Sequence, residues 1–350
     1  MKISIKFLSL VSLAVMALLA FTANLPPPVL PDGSAMSPFF FGGLLVNKGT
    51  LDAVFNGLKT LFNNALKAQP GSWQATAMEV PSTGAGEDYA WLSRFPKMRK
   101  WVGEKFVKVL EAGKYYKKNE DWEATIEVDR NDIEDDRLGI YNTQAMGAGE
   151  SAGELRDIIV DDLKNGAFVN TSMDGQYFYD TDHPLKSSDG VASSVSNKLT
   201  KALSAATLAA VQASYGAGRI AIMGFTDSEG MPLRLIPDTL EVPPALEAVA
   251  RILCEADKLQ DNSPNPYKGT AKVLVNPALT SATAWMLHVT SKQSIKPFII
   301  QMRKPPVFVS QTDMATDDVF NKRKFKYGAE ARATGVYGFW QLSVGSDGTT

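Results

Sequence analysis

The chain has 350 residues, of which 45% are hydrophobic and 21% charged, and its formal net charge is −2 at pH 7. This near-neutral balance argues against a dedicated nucleic-acid binder. The single cysteine, Cys254, excludes an intrachain disulfide and a cysteine-based zinc site, and the presence of only two histidines excludes a histidine-rich metal site. The length allows a large core and suggests about two domains.

Residues 1–43 differ from the rest of the chain. Two lysines precede an apolar run from Phe7 to Phe21, which is short for a membrane span and better fits the hydrophobic part of a signal peptide. A linker rich in proline and glycine follows. Three interpretations stay open: an export signal, an arm that becomes ordered on assembly, or a start codon placed too far upstream, with Met36 as the internal start. We expect this extra segment to be disordered or not native.

The first predicted element is a helix from Leu44 to Ala68. Its apolar residues recur at spacings of three and four, which is the period of one helix face. Thr50 is a candidate N-cap, and Pro70-Gly71 ends the helix. A weakly alternating segment, Trp73 to Val80, comes next.

The stretch from Tyr89 to Tyr141 has sorted charges. Between Tyr89 and Glu120 there are nine basic and three acidic residues, and between Asp121 and Asp136 there are eight acidic residues and one arginine. Aromatic residues run through both parts. Opposite charges with embedded aromatics favour a surface that binds a complementary surface. A solvated amphipathic segment is the alternative that the composition leaves open.

Two helices and a strand are predicted within and after this stretch. Lys100 to Leu110 has a helical apolar side, and the residues from Trp122 to Val128 alternate as in a strand. Asp136 to Ala167 is predicted to be a long helix, because one apolar stripe runs along its second half. Three glycines, at 147, 149 and 153, weaken its front half, since each costs about 1 kcal/mol relative to alanine.

The remaining chain alternates between helical and extended patterns without a regular βαβ rhythm, which indicates an α+β fold. An alanine-rich helix is predicted for Ser193 to Ser214, and another after Pro243-Pro244. The predicted strands are Leu233 to Val242, Ala271 to Val275, Phe298 to Met302, Val307 to Gln311, Lys324 to Arg332 and Val336 to Val344. In this interpretation Pro305-Pro306 separates the strand Phe298 to Met302 from the strand Val307 to Gln311.

One short motif invites a catalytic interpretation. Residues 149–153, GESAG, match the G-x-S-x-G pattern of serine hydrolases, with Ser151 as nucleophile. That motif requires a buried strand directly before the serine, whereas the preceding residues are polar and continue a helical stripe. The hydrolase interpretation is therefore disfavoured.

Two acidic clusters also invite a functional interpretation. Asp180, Asp182 and His183 could form a carboxylate-oriented histidine or a metal site, but a turn in which the aspartates cap backbone groups explains them more simply. The acids from Asp132 to Asp136 could bind a divalent cation, but a helix N-terminus already accounts for negative charge there. The sequence thus contains almost no residues in an arrangement typical of a catalytic site.

Several short motifs occur in one order along the chain. The first is Y-x-W-L-x-x-F-P-x-x-R-x-W-x-G at residues 89–103, and an acidic run, NDIEDD followed by G-x-Y, ends at Tyr141. Others are DGQYF at 174–178, DHP at 182–184, VPP at 242–244, KPF at 296–298 and YGFWQ at 337–341. Together they span roughly residues 44–344, and in this they resemble the major head subunit of Mu-like bacteriophages and prophages.

The resemblance implies the Hong Kong 97-type capsid fold, an α+β fold with an N-terminal arm, an extended loop, a peripheral domain with a spine helix, and an axial domain. Carried onto this chain, these parts are the arm at 44–81, the extended loop at 82–128, the peripheral domain at 129–190 and 287–350, and the axial domain at 191–286. The spine helix would lie near residues 136–167.

The resemblance also implies a structural protein without enzymatic activity or cofactor, which self-assembles into the icosahedral head shell around phage double-stranded DNA. Its partners would be further copies in hexamers and pentamers, scaffold, protease and portal proteins, and a decoration protein. DNA would be contacted only non-specifically, and no membrane is involved. The protein would assemble in the cytoplasm of the bacterial host and reside in the virion.

Our physical hypothesis is that the basic loop of one subunit lies on an acidic surface of the next, with aromatic residues as anchors. The candidate interface residues are Trp91, Arg94, Phe95, Lys97, Arg99, Lys100, Trp101, Glu134, Asp135 and Asp136. Two other functional classes remain as alternatives: an exported envelope protein and a serine hydrolase using Ser151.

Overall fold

The computed structural model describes residues 48–93, 115–135, 139–186, 192–227, 230–291, 295–313 and 321–350. The extra segment at 1–43 and the predicted helix from Lys100 to Leu110 lie outside these residues. The helices are α1 (Lys48–Ala68), α2 (Arg130–Glu134), α3 (Gly139–Asn165), α4 (Leu208–Val211), α5 (Ala217–Gly224) and α6 (Glu247–Glu255). The strands are β1 (Ala77–Pro81), β2 (Gly86–Asp88), β3 (Tyr116–Lys118), β4 (Glu120–Asp129), β5 (His183–Lys186), β6 (Ala192–Val195), β7 (Lys198–Leu199), β8 (Thr239–Val242), β9 (Lys272–Val275), β10 (Trp285–His288), β11 (Phe298–Gln311), β12 (Lys324–Tyr337) and β13 (Ser343–Ser346).

Helix α1 buries one face, as its spacing predicts. Leu51, Val54, Leu58 and Phe62 are the buried residues, and they recur every three or four positions along the helix. This face packs against α3 and against the aromatic ring of Phe308 from β11, whose centroid lies 5.2 Å from that of Phe62. The arm-like first helix is thereby fixed to the rest of the chain.

Helix α3 runs without interruption for 27 residues and contains all three of the glycines that weaken its sequence pattern. Two of them are explained by the approach of α1. A Cβ at Gly149 would lie 2.4 Å from the carbonyl oxygen of Phe62, and a Cβ at Gly153 would lie 2.7 Å from Cβ of Gln69. The glycines therefore lower helix propensity but permit two backbones to pack closely.

A four-stranded sheet with the order β1-β11-β12-β4 packs against α3. Its longest strands, β11 and β12, form an antiparallel pair of 14 residues each. The prediction of two strands divided by Pro305-Pro306 was wrong, because β11 continues through both prolines. Register shifts between Met302 and Lys304 and between Lys304 and Val307 absorb the missing N–H donors as bulges.

A five-stranded sheet with the order β7-β13-β10-β8-β9 forms the second layer. All residues of β8, β10 and β13 are buried, which makes this sheet the centre of the larger hydrophobic core. A second, smaller cluster of buried apolar residues lies between α1, α3, the C-terminal halves of β4 and β11, and the N-terminal half of β12. Two hydrophobic cores agree with the size of the chain.

Three further predicted elements differ from the structure, the first being the strand from Leu233 to Val242, of which only Thr239–Val242 forms a strand, β8. Residues 193–206 are not helical but contain the short strands β6 and β7, and the helical stretch begins at Leu208 and continues through a π-turn, Gln212–Gly216, into α5. The predicted strand from Val336 to Val344 is the end of β12, a 3₁₀ turn at Trp340–Leu342, and β13. Among the described residues, no helix has the length and apolar character needed to cross a membrane.

Candidate assembly interface

The predicted interface stretch is anchored by a short hairpin. Strands β2 and β3 pair antiparallel from Gly86 opposite Lys118 to Asp88 opposite Tyr116. The carboxylate of Glu87 accepts hydrogen bonds from the backbone N–H of Gly84 at 3.1 Å and from Oγ of Ser82 at 2.9 Å. Such backbone and hydroxyl donors, above all Thr83 and Gly84, lower the pKa of Glu87. The loop in front of β2 is thereby held in one conformation.

A buried polar chain joins this hairpin base to the central sheet. The hydroxyl of Tyr89 donates to Oε1 of Gln301 at 2.9 Å, and Nε2 of Gln301 donates to Oδ1 of Asn119 at 2.7 Å. Nδ2 of Asn119 donates in turn to Oγ of Ser82 at 2.9 Å. Because all four side chains are buried or nearly so, both ends of the excursion are fixed to β11.

The candidate interface residues fall into three groups. Trp91 is half-buried within the subunit, where its ring meets that of Phe339 edge-on at 5.7 Å. Glu134 and Asp135 follow the other end of β4, where Nε of Arg130 lies 2.9 Å from Oε1 of Glu134. The residues Arg94, Phe95, Lys97, Arg99, Lys100, Trp101 and Asp136 lie outside the described residues.

The described members of this set are far apart. Trp91 packs just beyond the Tyr337 end of β12, whereas Glu134 follows Asp129, which pairs with Lys324 at the opposite end. A strand of this length spans about 40 Å. Trp91 and the acidic pair therefore do not form one patch on a single subunit.

Strand β4 presents an acidic outer face and an apolar inner face. Asp121, Glu123 and Glu127 are exposed, while Ile126 and Val128 are buried against α1 and α3. This alternation is the one that the sequence predicts. β4 is also an edge strand of its sheet, so one side of its backbone is not paired within that sheet.

A groove of about 70 Å³ lies between α3 and the sheet. Its walls are mainly apolar and come from Leu155, Ile158, Pro306 and Ala331, among others. Ile158 is a large apolar side chain that is 39% exposed, and Ile140 and Met146 of the same helix are also exposed. Sequence reasoning placed Ile158 in the helix stripe and gave no indication of this groove.

A buried polar network, which sequence reasoning also missed, connects α3 to the five-stranded sheet. Nζ of Lys164 lies 2.8 Å from Oε1 of Glu241, and Oε2 of Glu241 lies 3.1 Å from Nε2 of His288. Oγ of Ser343 contacts Nδ1 of His288 at 2.9 Å and the hydroxyl of Tyr179 at 2.6 Å. The available sequence signal was Glu241, a charged residue between the apolar residues Leu240 and Val242.

Lys164 and Glu241 form a buried ion pair within this network. Burial by itself would raise the pKa of Glu241, but Lys164 and His288 outweigh it and lower that pKa to about 2. Ser343, His288 and Glu241 have the order of a hydrolase relay, yet all three are completely buried and present no surface to a substrate. Their arrangement serves to join secondary structures.

The second histidine is also buried. Asp180 accepts hydrogen bonds from the backbone N–H of Tyr177 and Thr181, as the predicted turn requires. His183, however, is fully enclosed and lies 2.7 Å from Asp174 and 3.0 Å from Asn197. The carboxylate that orients this histidine is therefore Asp174 and not one of the two neighbouring aspartates.

The remaining catalytic and metal candidates have structural surroundings. Ser151 lies within α3 with no strand directly before it, so the strained turn of a nucleophile elbow is not formed. Cys254 is buried, and burial raises the pKa of its thiol to about 11. Within the described ranges, no group of three or more histidine, cysteine or acidic side chains could hold a metal ion.

A family model for the Mu-like prophage major head subunit gpT matches residues 51–211, 200–279 and 279–349. The chain belongs to this family. It is 28% identical over 85% of its length to the Mu-like prophage FluMu major head subunit of Haemophilus influenzae, covering 73% of that protein. It is 24% identical over 87% of its length to the major capsid protein of Escherichia phage Mu, covering 76% of it.

Solved phage capsids have the same fold. The procapsid subunit of bacteriophage JBD30 matches with a TM-score of 0.55 at 27% identity, covering 86% of this chain and 76% of that one. The subunit of the JBD30 capsid matches with a TM-score of 0.51 at 23% identity, covering 68% and 100%. The prediction of a Hong Kong 97-type α+β capsid fold is confirmed. As a member of the Mu-like family, this chain is a structural capsid subunit.

Proposed function

We propose that this chain is the major capsid subunit of a Mu-like phage or prophage and closes into an icosahedral head shell around double-stranded DNA through contacts between its basic extended loop and a neighbouring copy. Family membership over most of the chain is the observation that supports this proposal. Repeated heterologous contacts of this kind close into rings and shells when the rotation between subunits is fixed.

The proposed domain division follows the resemblance to the family; its boundary at 286/287 lies within β10 and separates β13 from β7, β8 and β9 of the same sheet. Helix α1 and β1 belong to the arm at 44–81, and the excursion at 82–128 begins and ends on the β2–β3 hairpin and continues into β4. Helix α3 is the proposed spine of the peripheral domain at 129–190 and 287–350. Residues 191–286, with α4 to α6 and strands β6 to β9, form the proposed axial domain.

The proposed contact relies on charge sorting. Arg94, Lys97, Arg99 and Lys100 supply positive charge, Phe95 and Trp101 supply apolar anchors, and the acidic residues Glu134, Asp135 and Asp136 belong to the receiving side. Such complementary charges fix register and speed encounter between subunits. Trp91 acts differently, because its packing on Phe339 supports the loop base from within the subunit.

Further partners complete the proposed assembly. Scaffold, protease and portal proteins and a decoration protein would act with this subunit in the cytoplasm of the bacterial host. A near-neutral wall suits a container that touches its DNA only non-specifically. We propose no enzymatic role, because Ser151 lies within α3 and His183, His288 and Ser343 are enclosed in the core.

The test is a charge reversal with a matched control. In one variant Arg94, Lys97, Arg99 and Lys100 are changed to Glu, and in the control each arginine becomes Lys and each lysine becomes Arg. Both are expressed with the candidate scaffold and observed by electron microscopy and sedimentation. We expect shells from the control and folded, unassembled subunits from the reversal. Normal shells from the reversal would refute the proposed contact.

A further inference from the structure

We propose that the side chains of Lys164 and Asn276 react with each other inside the folded subunit and form an isopeptide bond, with Glu241 as the proton carrier. These three side chains are 2%, 7% and 0% exposed. They come from α3, from the residue after β9 and from β8, so no local motif marks the site. All the reacting groups belong to one chain, and the inference therefore does not depend on the proposed assembly.

Lys164 and Asn276 meet on the same carboxylate oxygen. Nζ of Lys164 lies 2.8 Å from Oε1 of Glu241, and Nδ2 of Asn276 donates to that oxygen at 2.7 Å. The two nitrogens also approach Oδ1 of Asp161, at 3.6 and 2.7 Å respectively. Because they share both acceptors, the lysine nitrogen lies beside the amide group of the asparagine. Reactions between groups held together in this way are strongly accelerated.

The amide of Asn276 is fixed in one orientation. Its Oδ1 accepts a hydrogen bond from the backbone N–H of Ala278 at 2.9 Å. This donor stabilises the negative charge that develops on Oδ1 when the amide carbon is attacked. Residue 277 is proline and has no backbone N–H, so the common attack of the following backbone nitrogen on an asparagine side chain is blocked. Lys164 is therefore the nitrogen nucleophile that the structure presents to this amide.

The reaction transfers the acyl group of Asn276 from ammonia to the lysine. Glu241 takes one proton from the Lys164 ammonium group, and the free amine attacks Cγ of Asn276, which forms the Nζ–Cγ bond. Glu241 then passes its proton to Nδ2, the Cγ–Nδ2 bond breaks, and the departing ammonia takes up the second proton released from Nζ. A lysine ammonium and a primary amide become a secondary amide and an ammonium ion, which balances without a further reactant.

The surroundings make this reaction slow but allow its product to leave. Lys164 and His288 lower the pKa of Glu241 to about 2, so the first proton transfer is unfavourable. A cavity of about 350 Å³ borders Lys164 and Leu279 and gives the ammonium ion room to leave. A newly folded subunit therefore contains the ion pair, and the amide forms with time.

The bond would connect α3 covalently to the five-stranded sheet. It closes a ring from residue 164 to residue 276, which contains α4 to α6 and β5 to β9. Such a ring limits the freedom of the unfolded chain and thereby stabilises the folded one. A subunit that has reacted should resist unfolding more than a newly made one.

The intact mass of the whole chain tests the bond. The subunit is measured directly after purification and again during several days at neutral pH. Because the reaction releases one ammonia, we expect a species that is lighter by about 17 Da and increases with time. A tryptic digest should contain a branched peptide that joins Lys164 to Asn276. A wild type without the lighter species and the branched peptide after this incubation would overturn the inference.

Three variants assign the roles. Lys164→Arg, the matched control, keeps a positive charge beside Glu241, but its guanidinium group stays protonated and cannot attack. Asn276→Ala removes the amide, and neither variant should lose ammonia. Glu241→Gln removes the proton carrier and should slow the loss at least about tenfold. Urea unfolding verifies that each variant is folded. A lighter species formed by Lys164→Arg at the wild-type rate would overturn the assignment, whichever of the other variants folds.

Discussion

The ammonium group of Lys164 lies 2.8 Å from the carboxylate of Glu241, and the two side chains are 2% and 0% exposed. Nδ2 of Asn276 donates to the same carboxylate oxygen at 2.7 Å, and to Oδ1 of Asp161 at 2.7 Å. The pair thus joins the last turn of α3 to β8 across the larger core. A charge pair enclosed this completely depends on both of its members.

Removal of the lysine should be strongly destabilising. Lys164→Met leaves the charge of Glu241 uncompensated, and we expect the free energy of unfolding to fall by about 3–5 kcal/mol. Lys164→Met combined with Glu241→Gln should recover much of this loss, because no buried charge remains. Urea unfolding of the unassembled subunit measures both, with Lys67→Met, at an exposed position of α1, as the control. A single variant as stable as the wild type would contradict this interpretation.

The lowered pKa of Glu241 predicts that the folded subunit loses stability in acid. This pKa is lowered from 4.5 to about 2, so the folded state binds fewer protons than the unfolded state between these values. The stabilisation is complete above pH 4.5 and is lost as the pH falls towards 2, with a total of about 3 kcal/mol. Urea midpoints of the wild type and of Glu241→Gln should therefore approach each other as the pH falls from 5 and converge only near pH 2. A constant difference between the two proteins would exclude Glu241 as the cause.

Two glycines of α3 should respond oppositely to the same substitution. In Gly149→Ala the new methyl group would meet the backbone oxygen of Phe62, and we expect a loss of about 2 kcal/mol as α1 is displaced. In Gly147→Ala the new methyl group has no neighbour within 4 Å, and we expect a gain of about 1 kcal/mol from helix propensity. Thermal unfolding of the two variants checks both signs. A shift in the same direction would show that α1 does not approach α3 as described.

Trp91 should matter to the folded subunit before assembly. Its ring packs on Phe339 and lies 6.2 Å from that of Tyr89, so Trp91→Ala should lower the free energy of unfolding by about 2 kcal/mol. Trp91→Phe, which keeps an aromatic ring, should cost less than half as much. Both are measured on unassembled subunits. An Ala variant with unchanged subunit stability that fails to assemble would return Trp91 to the interface between copies.

The helices α1, α3 and α6 could be predicted because their core faces repeat every three or four residues. The prediction of a helix at Ser193 to Ser214 was wrong for its first half, where apolar residues have helical spacing although the chain is not helical. The backbone of this part bonds to the far end of the chain: β7 pairs with β13, and the N–H of Ala202 donates to the carbonyl of Thr350 at 2.9 Å. Local periodicity contains no information about such distant partners.

The candidate interface could be predicted in its chemistry but not in its geometry. The alternation of charged and apolar residues correctly predicted the acidic outer face of β4, since neighbouring residues of a strand point to opposite faces of the sheet. The position of Trp91 inside the subunit depends on Phe339, almost 250 residues away. The network of Lys164, Glu241 and His288 likewise joins residues separated by 77 and 47 positions. Each of these is a tertiary contact without a local sequence signature.

The two prolines of β11 interrupt one ladder of the central sheet without dividing the sheet. Pro305 and Pro306 leave a gap in the pairing of β11 with β12; the part of β11 before the gap pairs with β1, and the part after it packs on α1. Across the same position β12 stays paired with β4 from Lys324 to Ala333. The partner on the other side of β12 therefore holds both halves of the ribbon in one sheet where β11 cannot.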